Sequence, residues 1–213
     1  MKSAIVLGAT GLIGASLVEQ LAKAAHISGV IAITRKPVNY ASNKVSNAVV
    51  DFENLDQHSA IFKGDLLFSA LGTTIKRAGS IDAQRKVDLN YQYQVAQLAA
   101  CNGVSHYLLV SSSNANSDSR SQYLKMKGEL EDQVSTLDFA RVSVFQPSLL
   151  LGKRDHVRIG ESIGAKLAPA LCRLPGLRRY RPIHGHEVAV KMIAVSSKPG
   201  EARETFTLDE IFI

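Results

Sequence analysis

The chain of 213 residues is 46% hydrophobic and 21% charged, the composition of an ordinary soluble globular protein of one domain, with room for a small appendage. Lys and Arg outnumber Asp and Glu by 25 to 19, giving a net charge of +6, which suits a nucleic acid, a membrane surface or a polyanionic small molecule. The two cysteines, Cys101 and Cys172, lie far apart without a CxxC partner, so the chain is expected in a reducing compartment and without a metal site.

The opening "MKSAIVLGATGLIGASLVEQL" has the apolar look of a signal peptide. Glycines break its apolar run, and no small-residue cleavage site precedes Glu19. No other segment reaches the roughly 18 apolar residues that span a membrane. The chain is therefore read as cytoplasmic.

Short apolar runs alternate with amphipathic ones. Strands are expected at 3–7, 30–34, 47–50, 66–71, 106–110 and 139–145. Helices are expected at 12–24, at 80–103 with Gly103 as its stop, and at 122–134. The strands are nearly continuous apolar runs, which fits strands buried on both faces of a parallel sheet. The alternation predicts an α/β fold, a doubly wound Rossmann-type parallel sheet. After residue 151 the pattern loosens, then a helix at 187–196 and a strand in "ETFTL" follow. The reading is one domain over 1–213, with 152–185 and 197–213 forming a reduced substrate-binding cap.

"VLGATGLIGASL" places Gly8, Gly11 and Gly14 between the first strand and the first helix. The first glycine permits the tight turn, the second lets the backbone approach a pyrophosphate, and the third lets helix and strand pack closely. The helix N-terminus then offers free N–H groups and a partial positive charge. Gly8, Ala9, Thr10, Gly11, Leu12, Ile13 and Gly14 are accordingly candidate dinucleotide-binding residues. The second strand ends in Arg35-Lys36, where NAD-selective sites carry an acid. A guanidinium there suits a ribose 2′-phosphate, so NADP is favoured over NAD. Asp51 and Phe52 end the third strand, either holding an adenine or, for Asp51, capping a helix. Ala70, Leu71 and Gly72 end the fourth strand, where small residues leave room for a cofactor ribose.

The fifth strand delivers Ser111, Ser112 and Ser113 to the same sheet edge, and Tyr123 and Lys127 lie one turn apart on the next helix. A free tyrosine has a pKa of about 10. Lowering such a value by ~3 units takes about 4 kcal/mol of preferential stabilisation of the phenolate. A nearby ammonium and a cationic nicotinamide can supply that in a partly dry cleft. A Tyr-x-x-x-Lys spacing alone is common by chance; its place after the fifth strand gives it weight.

The stretches "GATGLIG", "TRK", "ALGTT", "VDLNY", "HYLLVSSS", "YLKMKGELE" and "VFQPSLLLG" resemble the short-chain dehydrogenase/reductase superfamily in its atypical or extended branch. The chain is most similar there to the Tat-interacting-protein-like NAD(P)H-binding oxidoreductases. The resemblance implies that Tyr123 is the catalytic acid/base, Lys127 its partner and cofactor-ribose ligand, and Ser112 the catalytic serine, with Ser111 and Ser113 as alternatives. It makes Asn90 a structural or relay residue or simply a polar helix face, and Pro147 and Ser148 the lining of the nicotinamide pocket. His184 and Glu187 begin the last helix in a structural role. The GxxGxxG spacing departs from the GxxxGxG of classical members and favours the extended or atypical branch, while the chain, shorter than typical extended members, implies a reduced cap that disfavours large nucleotide-sugar substrates.

The expected function is NADP-dependent hydride transfer to or from an unidentified carbonyl or alcohol. A dinucleotide-binding sensor or scaffold for a protein partner is the rival, and a nucleotide-sugar epimerase the lesser one. The basic run with Arg173, Arg178, Arg179 and Arg181 is a solvated face, or a contact for an anionic substrate or a peripheral membrane surface. It lacks nucleic-acid-binding signatures. A homodimer is compatible with the resemblance.

Overall fold

The computed structural model describes residues 1–151 and 178–213. Seven parallel strands form one sheet in the order β3-β2-β1-β4-β5-β6-β9. They are β1 Lys2–Leu7, β2 Ile27–Thr34, β3 Val45–Val49, β4 Leu66–Ser69, β5 His106–Val110, β6 Arg141–Gln146 and β9 Arg203–Thr207. Two short strands, β7 Leu150–Leu151 and β8 Ile183–His184, pair separately. The order reverses between β1 and β4, and that switch point opens a crevice at the carboxyl ends of the strands.

Alternate residues of β1 enter two different cores, which explains its unbroken apolar run. Ala4 and Val6 pack towards helix α1 (Leu12–Lys23) and helix α6 (Gly185–Ser196), among Leu17, Leu21, Val188 and Met192. Ile5 and Leu7 pack towards α4 (Tyr91–Cys101) and α5 (Gln122–Ser135), among Val95, Ala99, Leu130 and Val134. Burying a leucine-sized side chain in such a core stabilises by roughly 1.5–3 kcal/mol, so both helical layers are held to the sheet.

Three expectations are corrected. The single helix over 80–103 is built from α3 (Ile81–Arg85), a π-helical turn (Lys86–Asn90) and α4. A short α2 (Ile75–Ala78) precedes them. Ser80 caps α3 by accepting the Ala83 amide, and Gly103 ends the run with φ +81°. The expected strand at 139–145 starts later: Phe139 instead stacks on Tyr107. The expected cap over 197–213 is corrected at its centre, because Arg203–Thr207 is the seventh strand of the main sheet, with Phe206 stacked on Phe145. The remaining cap, Cys172 and Arg173 fall largely or wholly at 152–177, outside the described residues. Cys101 is a free, exposed thiol.

The opposite, amino-terminal edge of the sheet carries a buried polar chain. His106 Nε2 lies 2.7 Å from Ser143 Oγ, Ser143 donates to the Glu204 carboxylate, and Arg141 pairs with Glu204 at 2.6 Å. Burial, reinforced by the positive charges of Arg141 and Lys2, pushes His106 down to about 3. Unfolding exposes it to protonation near its ordinary value of about 6.5. Its contribution to stability is therefore complete above about pH 6.5 and is lost as pH falls towards 3. Urea unfolding between pH 6 and 4.5 is expected to lose on the order of 1 kcal/mol per pH unit from this residue. His26, also lowered chiefly by burial, adds in the same direction. The slope should shrink in His106→Asn; an unchanged slope would contradict the assignment.

Candidate active site

A cleft of about 970 Å³ opens at the switch point. The β1–α1 turn forms its floor. Gly8 has φ +80°, and a Cβ there would stand 2.7 Å from the Ala70 backbone. A Cβ on Gly14 would stand 2.0 Å from the Gly8 carbonyl oxygen. The first glycine thus brings the turn against the end of β4, and the third brings α1 against the turn. Gly11 is the α1 N-cap without a side-chain cap bond, and the first turn of the helix holds no acid. Its leading amides have no intrahelical partner and present a positive end to the cleft. Thr10, Gly11, Leu12 and Ile13 line the cleft, whereas Gly8, Ala9 and Gly14 shape it from behind. This open, acid-free turn fits a pyrophosphate.

Ala70, Leu71 and Gly72 from the end of β4, and Pro147 and Ser148 after β6, form facing walls. Ser148 Oγ donates to the Arg181 carbonyl. Arg35 and Lys36 are exposed on the turn after β2, outside the cleft lining. That turn is braced by Asn47, which accepts the Val38 amide at 2.8 Å and donates to Thr34 Oγ1 at 2.8 Å. Thr34 in turn donates to the Lys36 carbonyl.

The adenine-covering role for Phe52 is corrected. Its ring is buried, 8% exposed, against Tyr91 at 5.2 Å. Asp51 is exposed, and its carboxylate accepts the Glu53 amide and the Asn54 side chain, which hold it below the usual carboxylate range.

At the other end of the cleft, Ser111, Ser112, Ser113, Tyr123 and Lys127 all line the wall. The three serines are not equivalent. Ser111 is buried and donates to the Glu131 carboxylate, which also accepts Gln146 Nε2 at 3.0 Å. Burial raises Glu131, and these two hydrogen bonds pull it back. Ser112 and Ser113 are half-buried, with Ser113 held by its amide to the Pro147 carbonyl at 3.1 Å. Tyr123 is half-buried one helical turn from Lys127, which is only 4% exposed. Lys127 Nζ donates to the Val110 carbonyl at 3.4 Å and lies 3.8 Å from Asp88 Oδ1.

Asn90 is exposed, and the polar residue of "VDLNY" that reaches the cleft is Asp88. The π-helical turn shifts the helical register there, so the face read from a 3.6-residue period is displaced. Gly128 was also not singled out by pattern. A Cβ on it would stand 2.2 Å from the Ser117 amide nitrogen, so its absence lets the loop after β5 seat on α5 beside Lys127. His184 and Glu187 are structural: the Glu187 carboxylate accepts the His184 amide at 2.8 Å and caps α6. No cluster of potential metal ligands exists among the described residues.

The family model described as NAD(P)H-binding matches residues 8–150. Protein HTATIP2 of Rattus norvegicus is 39% identical over 174 residues, covering 80% of this chain and 72% of that protein. Protein FMP52, mitochondrial, of Saccharomyces cerevisiae is 36% identical over 196 residues, covering 86% of this chain and 83% of that one. MoeE5, solved in complex with UDP-glucuronic acid and NAD, has the same fold: the TM-score is 0.74 at 15% identity, over 97% of this chain and 76% of that one. UDP-glucose 4-epimerase of Thermotoga maritima gives 0.69 at 15% identity, over 96% and 76%.

The cytoplasmic expectation is corrected, because several yeast relatives are named mitochondrial. Isolated cysteines separate reducing from oxidising compartments, and do not separate one reducing compartment from another.

Proposed function

The chain belongs to the NAD(P)H-binding family, in its atypical short-chain dehydrogenase/reductase branch, and on that premise we propose that it is an NADP-dependent oxidoreductase acting on a small carbonyl or alcohol. The observation that carries this reading is the meeting of two sets of residues in one cleft: the open glycine turn on one side, and Ser112, Tyr123 and Lys127 on the other.

The turn residues Thr10–Ile13 and the α1 amides would hold the pyrophosphate of the dinucleotide. Ala70, Leu71, Gly72, Pro147 and Ser148 would border its ribose and nicotinamide, and Lys127 would donate to the ribose hydroxyls. When bound, NADPH supplies the hydride. In the reductive direction Tyr123 Oη gives its proton to the substrate oxygen, and the Lys127 ammonium favours the phenolate left behind. Ser112 donates to the same oxygen and holds it for transfer. Ser111 is the less suitable serine, since its hydrogen already serves Glu131.

Arg35 is proposed to pair with the 2′-phosphate, on the Asn47-braced turn at the end of β2. NADPH should bind at least about tenfold more tightly than NADH, as a charge-assisted bond of 1.5–3 kcal/mol implies. Arg35→Ala should remove most of that preference with little effect on NADH. Equal affinities in the unaltered protein would sink the selectivity reading. The function itself is tested by following NADPH consumption against aldehydes, ketones and quinones. Turnover with any of them supports it, and tight NADPH binding with no turnover across the panel moves weight to a cofactor-binding sensor.

A further inference from the structure

Lys127 is a buried cation with a built counter-ion. Asp88 Oδ1 lies 3.8 Å from its Nζ, and the two side chains are 2% and 4% exposed. Asp88 is fixed from several directions. Its Oδ2 accepts the Thr73 amide at 2.8 Å. Its own carbonyl accepts Gln92 Nε2 at 2.7 Å, and the buried Gln92 accepts the Ser69 hydroxyl at 2.7 Å. A Cβ on Gly72 would stand 3.3 Å from Asp88 Oδ1. The carboxylate is thus clamped between the end of β4 and the π-helical turn.

We propose that Asp88 is a positioning residue that keeps Lys127 charged while offsetting its field, so that Tyr123 stays a protonated phenol to higher pH and the site is poised as a proton donor for carbonyl reduction. The proposal rests on the acid/base reading of Tyr123.

Without a counter-ion, a desolvated ammonium is strongly disfavoured. With one, the ammonium is kept while its pull on the phenol is weakened without being abolished. Glu131 lies one turn along α5 from Lys127 and interacts with it electrostatically. Glu129, also on α5, is bound to Arg85 of α3 at 2.6 Å. Lys76 and Arg77 of α2 line the cleft mouth. From β5 only the Val110 carbonyl reaches Lys127. Among the described residues Asp88 is the carboxylate that lines the cleft beside Lys127, and its removal leaves the ammonium offset only by the more distant Glu131.

The test is an ultraviolet titration of tyrosinate, with and without NADP. Subtracting the same titration of Tyr123→Phe isolates one phenol among the six tyrosines. In Asp88→Asn, which retains an acceptor for the Thr73 amide, the half-titration of Tyr123 should move down by about one pH unit, the lower end of the effect of one nearby charge. Asp88→Glu should restore it towards the original position. Asp88→Ser, smaller and still able to accept from Thr73, provides the same reading if the Asn variant fails to fold. An unchanged midpoint in both neutral variants would overturn the proposal. So would an upward movement, which would mean that Lys127 had lost its proton. The titration needs no turnover. A downward shift in a protein that reduces no carbonyl would uphold the electrostatic role and remove the oxidoreductase reading, whereas turnover with an unmoved phenol would do the reverse.

Discussion

Gly14→Ala is expected to unfold or markedly destabilise the protein and to weaken NADPH binding by at least tenfold. The added Cβ would stand 2.0 Å from the Gly8 carbonyl oxygen and 2.7 Å from the Gly8 carbonyl carbon. Both are backbone atoms of the turn, so no side chain can swing aside. Either α1 lifts from β1 or the turn changes shape. Overpacking of this kind costs typically 1–3 kcal/mol, occasionally more, and here it also displaces the α1 amides from the cleft floor. For a chain of this size that corresponds to a fall in Tm of roughly 2–4 °C per kcal/mol. Gly29→Ala is the control, because its Cβ would meet only the Lys44 carbonyl at an ordinary 3.8 Å. Denaturant unfolding and NADPH fluorescence titration read both effects. Equal stability of the two variants would show that the turn yields more easily than its geometry implies.

Tyr123→Phe should abolish turnover while leaving the fold and cofactor affinity nearly unchanged. The ring stays, half-buried on α5, and only the hydroxyl is lost. General acid–base catalysis by one positioned side chain is worth about 10²–10⁴-fold, and the proposed reductive step draws its proton from this hydroxyl. Loss of rate with an unchanged NADPH dissociation constant is the expected result. A variant that keeps a tenth or more of the rate would assign proton transfer to water or to another group.

Most of the fold was legible because parallel strands buried on both faces leave unbroken apolar runs. Ala4–Leu7 and His106–Val110 are buried throughout, and both read as strands. Edges were less legible. Val45–Val49 is only half-buried and carries Ser46 and Asn47, so its apolar signal begins two residues late. The strand at Arg203–Thr207 was visible, but its place in the main sheet was not. It joins through pairing with β6, some sixty residues earlier in the chain, and no local pattern encodes that distance.

The cleft lining was legible where short motifs follow strand ends, as at Thr10–Ile13 and Ser111–Ser113, and where a Tyr-x-x-x-Lys pair opens the next helix. It was illegible where function depends on depth. Phe52 reads at its strand end as an adenine cover, yet its ring lies in the core against Tyr91. Asp88 was passed over for Asn90 because a π-helical turn, invisible to a 3.6-residue period, rotates the face. Ser111 and Ser112 are adjacent in sequence, and their surroundings differ through Glu131, twenty residues away, which accepts the Ser111 hydroxyl.

The most direct measurement supplies NADPH deuterated at its transferable position to the protein with a carbonyl substrate from the panel and follows the label. Deuterium is expected on the former carbonyl carbon, with the oxygen protonated from solvent by way of Tyr123. NADPH that binds the cleft while its label reaches no product carbon, with every aldehyde and ketone tried, would contradict hydride transfer as the function of this site.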